Sequence, residues 1–498
     1  MSTFKSLNPT NLSDVVVETK LATPDEIADA ARRAKAAQKA WAKMPAPARG
    51  RVIANAGRLF ENNKEALSKL VTREMGKVYR EALGDVQEVI DTCDFFLGEG
   101  RRLYGQTVPS EMPNKNLFTF RMPVGTALII TAGNFPAAVP SWYIIPALLT
   151  GNSVVWKPSE FTPAVAEAMT AIFHAAGVPK DVLITVVAEG KETFEGMVKG
   201  LDEGTINKVG FTGSTEVGRL IGAKVGEYIQ SACLELGGKN PMIVCADANL
   251  ETFLEVAVRG CFTSAGQLCV SIERMYIHES IYEKFLSALV EKVKELKLGA
   301  QLGWGYDVGS LVTDALVNRV SDAVSTAVSQ GAKIETGGKL RTDIGPNVYE
   351  PTVLTGVTKD MKISTEEVFG PCVYVQPFSS NEEAIALAND SIYGLSASVI
   401  TSNARNGRRI AEQIRSGSVN INEGFAAAYG SVAAPMGGMG QSGLGRRHGI
   451  EGLLRFTQPQ TIARQRWISI GPKFGFNEES WTKLLSNSLL ILKRLRIR

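Results

Sequence analysis

The sequence predicts an α/β protein with two α/β domains, and three observations carry that prediction. From Val124 onward, short β-branched runs alternate with helix-length segments: VGTALII, a helix through Ser141 to Leu149, NSVVWKP, a helix from about Thr162 to Ala176, VLITVVA and INKVGF. This rhythm marks a parallel sheet, because parallel neighbours need a long return connection and a crossover helix supplies it. A second alternation follows Glu235, with PMIVCA, RMYIHES, KIETGG, VYVQPF, ASVIT and SVNIN separated by helices such as EKFLSALVEKVKELK. At 498 residues the chain is also too long for one ordinary core and requires two or three domains.

Ahead of the first alternation, the region from about Thr23 to Gly100 reads as successive amphipathic helices: PDEIADAARRAKAAQKAWAKM, ARGRVIANAGRLFENNKEALSKLVTREM and REALGDVQEVIDTCDFFLGEG. The two α/β domains then flank the stretch from Glu235 to Cys269. No internal repeat or low-complexity segment is visible, which sets solenoid architectures aside.

Composition narrows the function classes. The chain is 44% apolar and 21% charged, the balance of a soluble globular protein. A formal charge of +3 over this length offers no electrostatic footprint for nucleic acid, so no nucleic-acid partner is expected. The six cysteines, Cys93, Cys233, Cys245, Cys261, Cys269 and Cys372, show no C-x-x-C and no regular spacing, and suggest neither a disulfide framework nor a zinc site. The N-terminus lacks a basic-then-apolar signal layout, and no run of about eighteen apolar residues occurs. A cytoplasmic protein is expected. The three histidines, His174, His278 and His448, are not paired at ligand spacing, so no catalytic metal is expected.

The chemistry centres on Cys269, in the small-residue stretch SAGQLC, and on Glu235 in LELGGKNP. A thiol nucleophile and a carboxylate base suffice for a thioester mechanism, and even a small thiolate fraction is strongly nucleophilic. Two segments could hold a nucleotide. VVWKPSE ends a buried strand with Lys157 and Glu160 at its carboxyl end, where open α/β sheets bind nucleotides. VGFTGSTEVGRLIG is a strand, a turn at Gly213 and a helix opened by Ser214 and Thr215, whose N-terminus suits pyrophosphate. Each alone is also the pattern of an ordinary capped helix.

With these motifs in place, the chain resembles the NAD(P)-dependent aldehyde dehydrogenase superfamily over nearly its whole length. AGNFP, WKPSE, FTGSTEVG, LELGGKNP, SAGQLC, EEVFGP and PMGGMGQSGLG all occur in family order. The resemblance implies a Rossmann-like coenzyme domain (1–104 and 124–236), a catalytic domain (237–445), and a small β oligomerisation arm (105–123 and 446–466) that completes a partner subunit in a homodimer or homotetramer. Residues 467–498 form an extension. In this family Cys269 would attack an aldehyde, Asn134 and the Cys269 backbone N–H would hold the oxyanion, and Glu235 would activate water against the thioester. Lys157, Glu160, Gly213, Ser214, Leu236, Glu367 and Phe369 would form the coenzyme site, with Glu367 on the nicotinamide ribose and Phe369 beside the ring. Cys261 is expected to be buried and inert.

Departures from the family pattern bear on coenzyme, proton and substrate. Ala132 and Gly133 precede Asn134 where many relatives carry proline-tryptophan, and Tyr143 and Arg447 stand where many carry a lysine and a glutamate implicated in a proton relay. Glu160 should repel a 2′-phosphate and favour NAD, with NADP as the alternative. The expected substrate pocket is Trp142, Tyr143, Thr263, Leu268, Phe425, Ala426 and Tyr429, an aromatic lining suited to neutral aldehydes. The tail pattern NINEGFAAAYGSVAAPMGGMGQSGLGRRHG nonetheless resembles a bacterial succinate-semialdehyde branch, although the arginines that clamp a carboxylate there would fall at Trp142 and Thr263. A non-catalytic relative would have lost the thiol or the base, and a CoA-acylating enzyme would not need Glu235. The terminal SWTKLLSNSLLILKRLRIR reads first as a helix docked on protein, with contact to an anionic membrane surface as the alternative.

Overall fold

The structure is a computed structural model that describes residues 2–112, 114–299, 302–466 and 471–496. It divides into two compact units, Met1–Arg102 with Pro123–Thr457, and Leu103–Met122 with Gln458–Arg498.

Two sheets organise the first unit. One has six strands in the spatial order Gly443–Leu444, Ser231–Glu235, Lys208–Thr212, Thr126–Ile130, Ser153–Lys157, Leu183–Thr185. All its pairings are parallel except that of Gly443–Leu444. From Thr126–Ile130 the chain adds strands in one direction and then, at Lys208–Thr212, in the other. The boundary between these two strands is a topological switch point, and ligands of open α/β sheets bind outside the carboxyl ends there. The strands are buried on both faces, which is why they read as continuous apolar runs rather than as alternation.

The other sheet has seven strands in the order Lys333–Thr336, Thr352–Thr355, Cys372–Phe378, Ile272–His278, Asn240–Val244, Ser396–Ile400, Ser418–Ile421, parallel apart from the first edge pair. Helices Leu250–Phe262, Tyr282–Lys294 and Asp314–Ser329 bury apolar faces in its core.

The predicted N-terminal helical region forms four helices, Pro24–Lys43, Ala46–Asn62, Lys64–Met75 and Tyr79–Glu99. The first starts in a capping box, Thr23 accepting from the Glu26 N–H while Glu26 reaches back. Before them lies an antiparallel pair, Thr3–Asn8 with Asn11–Lys20, for which no element was expected.

In the second unit, Lys115–Pro123 pairs between Gln106–Val108 and Thr457–Gln465, so the two arm segments share one sheet. Helix Glu478–Arg494 follows, with only Trp481 buried. Residues 467–470 and 497–498 of the C-terminal extension, and Pro113 of the arm, lie outside the described residues. Among the described residues no helix is long and apolar enough to cross a membrane.

Candidate active site

A cavity of about 450 Å³ lies in the first unit, and the loops after Thr126–Ile130 and Lys208–Thr212 contribute Ala132, Asn134, Gly213 and Ser214 to its wall. It therefore occupies the switch point of the six-stranded sheet.

The thiol is presented by a strained loop. Helix Leu250–Phe262 ends, and Ser264, Ala265 and Gly266 follow at φ 55°, 53° and 70°. A left-handed conformation costs a non-glycine residue about 1–3 kcal/mol and persists only where its surroundings fix it. Here Glu81 Oε1 accepts from the Ser264 N–H at 3.0 Å. Gln267, fully buried, donates to the Ser264 and Ser310 carbonyls at 2.9 and 3.1 Å and accepts from the Val312 N–H at 3.0 Å. Gly266 has no alternative, since a Cβ there would stand 2.1 Å from the Gly370 carbonyl oxygen. The loop leaves Cys269 half-buried in the cavity wall, while the other five cysteines are buried. Burial pushes the Cys269 thiol up, the Glu235 and Glu367 carboxylates add to this, and the Arg447 guanidinium opposes it.

Glu235 closes the strand Ser231–Glu235 and is 2% exposed. Burial pushes its carboxyl up, against the pull of Arg447, Arg455 and Arg446. Neither of its carboxylate oxygens accepts a hydrogen bond from a described residue. Gly437, at φ 155°, makes room for it, because a Cβ there would come within 3.0 Å of Oε1. Arg447, fully buried, sets Nε 3.8 Å from Glu235 Oε2 and Nη2 4.0 Å from Cys269 Sγ. The sequence marks Arg447 as a departure from relatives; the structure makes it part of the site.

Asn134 donates from Nδ2 to the Gln267 carbonyl at 2.8 Å. One N–H is thus engaged by the thiol loop, and the second remains for an oxygen in the cavity.

Of the residues expected to bind coenzyme, Gly213, Ser214, Leu236, Glu367 and Phe369 line the cavity. Ser214 caps helix Thr215–Glu227, accepting from the Val217 N–H. Glu367 Oε1 accepts from the Gly238 N–H at 3.0 Å, and burial pushes its carboxyl up to about 7. Phe369 sits at φ 57°, its N–H held by Glu273, which is in turn paired with the buried Lys239 at 2.6 Å. Lys157 and Glu160 lie one strand further out and do not line this cavity; they pair with each other at 2.8 Å.

On the substrate side, Trp142, Thr263, Leu268, Phe425, Ala426 and Tyr429 line the cavity. Tyr143 does not. Successive helical residues point about 100° apart, and with Trp142 facing the cavity Tyr143 is fully buried, its hydroxyl 2.9 Å from Thr212 Oγ1 and 3.2 Å from the Phe211 carbonyl. Glu81, Asp85 and Glu88 of helix Tyr79–Glu99 also line the cavity, as does Arg259, and none was singled out from the sequence. Burial pushes Glu81 and Glu88 up to about 7 each, and Asp85 pairs with Lys77 at 3.3 Å, both fully buried.

Comparison with known proteins agrees with this geometry. The model of the aldehyde dehydrogenase family matches residues 1–462. The chain is 37% identical, over 95% of its length and 91% of the other, to a putative succinate-semialdehyde dehydrogenase [NADP(+)] of Mycolicibacterium smegmatis. It is 39% identical, over 93% and 89%, to a putative succinate-semialdehyde dehydrogenase [NADP(+)] 2 of Mycobacterium tuberculosis. Among solved structures, an NAD+ complex of aldehyde dehydrogenase from Bacillus cereus superposes with a TM-score of 0.89 at 35% identity, covering 93% of each chain. Betaine aldehyde dehydrogenase from Staphylococcus aureus in complex with NAD+ gives a TM-score of 0.90 at 32% identity, covering 96% of this chain and 94% of that one. The chain belongs to the aldehyde dehydrogenase family.

Proposed function

We propose that this enzyme oxidises an aldehyde to a carboxylic acid with NAD(P), through a thioester on Cys269 that Glu235 hydrolyses. The observation that carries this reading is that the one cysteine not buried shares a cavity at the sheet's switch point with a buried carboxylate.

The residues present fit a nicotinamide dinucleotide. The N-terminus of helix Thr215–Glu227, opened by Gly213 and Ser214, suits the pyrophosphate. Glu367 suits ribose hydroxyls, and Gly237 keeps it clear, since a Cβ there would come within 2.4 Å of Oε2. Leu236 and Phe369 offer apolar faces beside the thiol. When bound, the coenzyme accepts the hydride released as the thiohemiacetal becomes a thioester. Cys269 Sγ, as thiolate, forms the bond to the carbonyl carbon. The second N–H of Asn134 and the backbone N–H of Cys269 stabilise the oxyanion, a donor worth roughly a hundred- to a thousandfold in rate. Glu235 then takes a proton from water, whose oxygen bonds the acyl carbon and expels the thiolate.

Glu160 favours NAD, while Lys157 beside it offsets part of the repulsion toward a 2′-phosphate and leaves NADP usable. The aromatic wall fits neutral aliphatic or aromatic aldehydes. Succinate semialdehyde is the second reading, supported by Arg259 in the cavity wall and by the names of the relatives. The exposed strand Thr457–Gln465 at the edge of its sheet supports assembly into a homodimer or homotetramer, and the cytoplasm is the proposed compartment.

Cys269→Ala tests the reading. Turnover is expected to vanish while coenzyme still quenches tryptophan fluorescence; appreciable residual turnover, or activity supported by Cys261, would identify a different nucleophile.

A further inference from the structure

The chemistry proposed for this cavity needs two anions close together, a thiolate that attacks and a carboxylate that draws a proton from water. Both sit in a wall where burial disfavours charge, and each makes the other harder to ionise. One cation stands against both. Arg447 is fully buried, with Nη2 4.0 Å from Cys269 Sγ and Nε 3.8 Å from Glu235 Oε2. Its guanidinium carbon lies 4.4 Å from the centre of the Trp142 ring, which limits its swing. The backbone is fixed by a reciprocal pair of hydrogen bonds with Met436, both 2.7 Å. Nε and Nη1 donate to no described residue, so the fork keeps donors for whichever anion approaches.

We propose that Arg447 is a shared counter-ion for the nucleophile and the base, facing the thiolate before attack and Glu235 once the sulfur is held in the neutral thioester. This rests on the roles proposed above for Cys269 and Glu235. The guanidinium stays protonated throughout and transfers no proton; only its partner changes. Its position beside the sulfur assigns it to the reacting groups rather than to a remote substrate tail.

Other charges around the pair are secondary. Glu367 and Tyr429 face the thiol from their own loops, and Arg455 and Arg446 act on Glu235 from the segment that carries Arg447. Glu88 and Tyr143 face Arg447 from two helices, and His448 beside it is held well down, at about 3, so it carries no charge near neutrality.

The test is the pH dependence of iodoacetamide inactivation of the full-length enzyme, with the labelled peptide identified by mass spectrometry, alongside the pH profile of kcat. Arg447→Met should move the alkylation midpoint upward by about one pH unit or more, and the acidic limb of kcat upward with it. Arg447→Lys, which keeps a charge but loses the fork, should fall between. A label on Cys269 with a midpoint unchanged in Arg447→Met overturns the counter-ion role alone. If Arg447→Met does not fold, Arg447→Gln, which keeps hydrogen-bond donors but removes the charge, replaces it, and an unchanged midpoint there overturns the role equally. Inactivation with the label on another residue overturns the Cys269 assignment instead.

Discussion

Replacing Glu235 with glutamine separates the two halves of the reaction. The side chains are nearly isosteric, and the carboxylate oxygens accept no hydrogen bond from a described residue, so the swap removes charge and basicity while leaving the wall in place. Attack by Cys269 and formation of the thioester need no base at position 235, whereas hydrolysis does. General-base catalysis contributes about 10²–10⁴-fold, so steady-state turnover should fall by at least about a hundredfold while one NADH per active site still appears in a burst. The pH profile should change as well. Burial raises the Glu235 carboxyl, and its active form is the deprotonated one. Wild-type hydrolysis therefore switches on at higher pH than an exposed glutamate would allow, and the variant should lose that limb. Breaking a buried ion pair can cost about 3–5 kcal/mol, but Arg447 keeps Cys269 as a second partner at 4.0 Å, so the loss should be smaller. Stopped-flow NADH absorbance with a single aldehyde reads burst and steady state together. An unchanged steady state would remove Glu235 from the mechanism, and loss of the burst would move it to the acylation step.

Two further outcomes test the surroundings. Glu160→Ser should narrow or reverse the ratio of kcat/KM for NAD over NADP, leaving Lys157 as an unopposed cation, and a wild-type preference for NADP would contradict the expected repulsion. Asp85→Ala should lower urea stability by about 3–5 kcal/mol, because it strands the fully buried Lys77 and removes the acceptor of the Ala138 N–H at 2.7 Å; a change within about 0.5 kcal/mol would show that Lys77 discharges freely.

The two sheets were legible because their strands are apolar runs bounded by helix signals. Val154, Val155 and Trp156 are fully buried, and only a central parallel strand asks for that. Thr352–Thr355 was not anticipated, since a four-residue strand between a proline and a glycine carries too little pattern. Ser231–Glu235 was not anticipated either, since it begins on the exposed Ser231 and only its last three residues are buried. In the site, the thiol and the carboxylate were visible as residue types in a motif. Gln267 was not, and Arg447 stood out only as a departure from the family's proton relay, because their roles come from what the tertiary fold sets beside them. Glu81, Asp85 and Glu88 did leave a trace, at i, i+4 and i+7 on one helical face. That spacing reads as the solvent face of an amphipathic helix, and only the tertiary fold turns it toward the cavity.

Those acids also set the terms on which an anionic substrate could bind. Glu81 and Glu88 line the same cavity as the apolar side chains, and burial raises both to about 7. Below that pH they are protonated and neutral; above it they are carboxylates that repel a second carboxylate inside a poorly hydrated space. Arg259 is exposed in the cavity wall and can offset only part of this, since Arg447 is engaged with Cys269 and Glu235. A neutral aldehyde does not feel the change. The ratio of kcat/KM for succinate semialdehyde to that for a neutral aldehyde of similar length should therefore fall as pH rises through about 7, while the thiol and base contributions cancel because both substrates use the same groups. Glu88→Gln should flatten that fall and raise the ratio on the alkaline side. A ratio independent of pH, combined with a preference for succinate semialdehyde of about a hundredfold over every neutral aldehyde, would mean that the carboxylate is bound away from helix Tyr79–Glu99, and the neutral-substrate reading would be wrong.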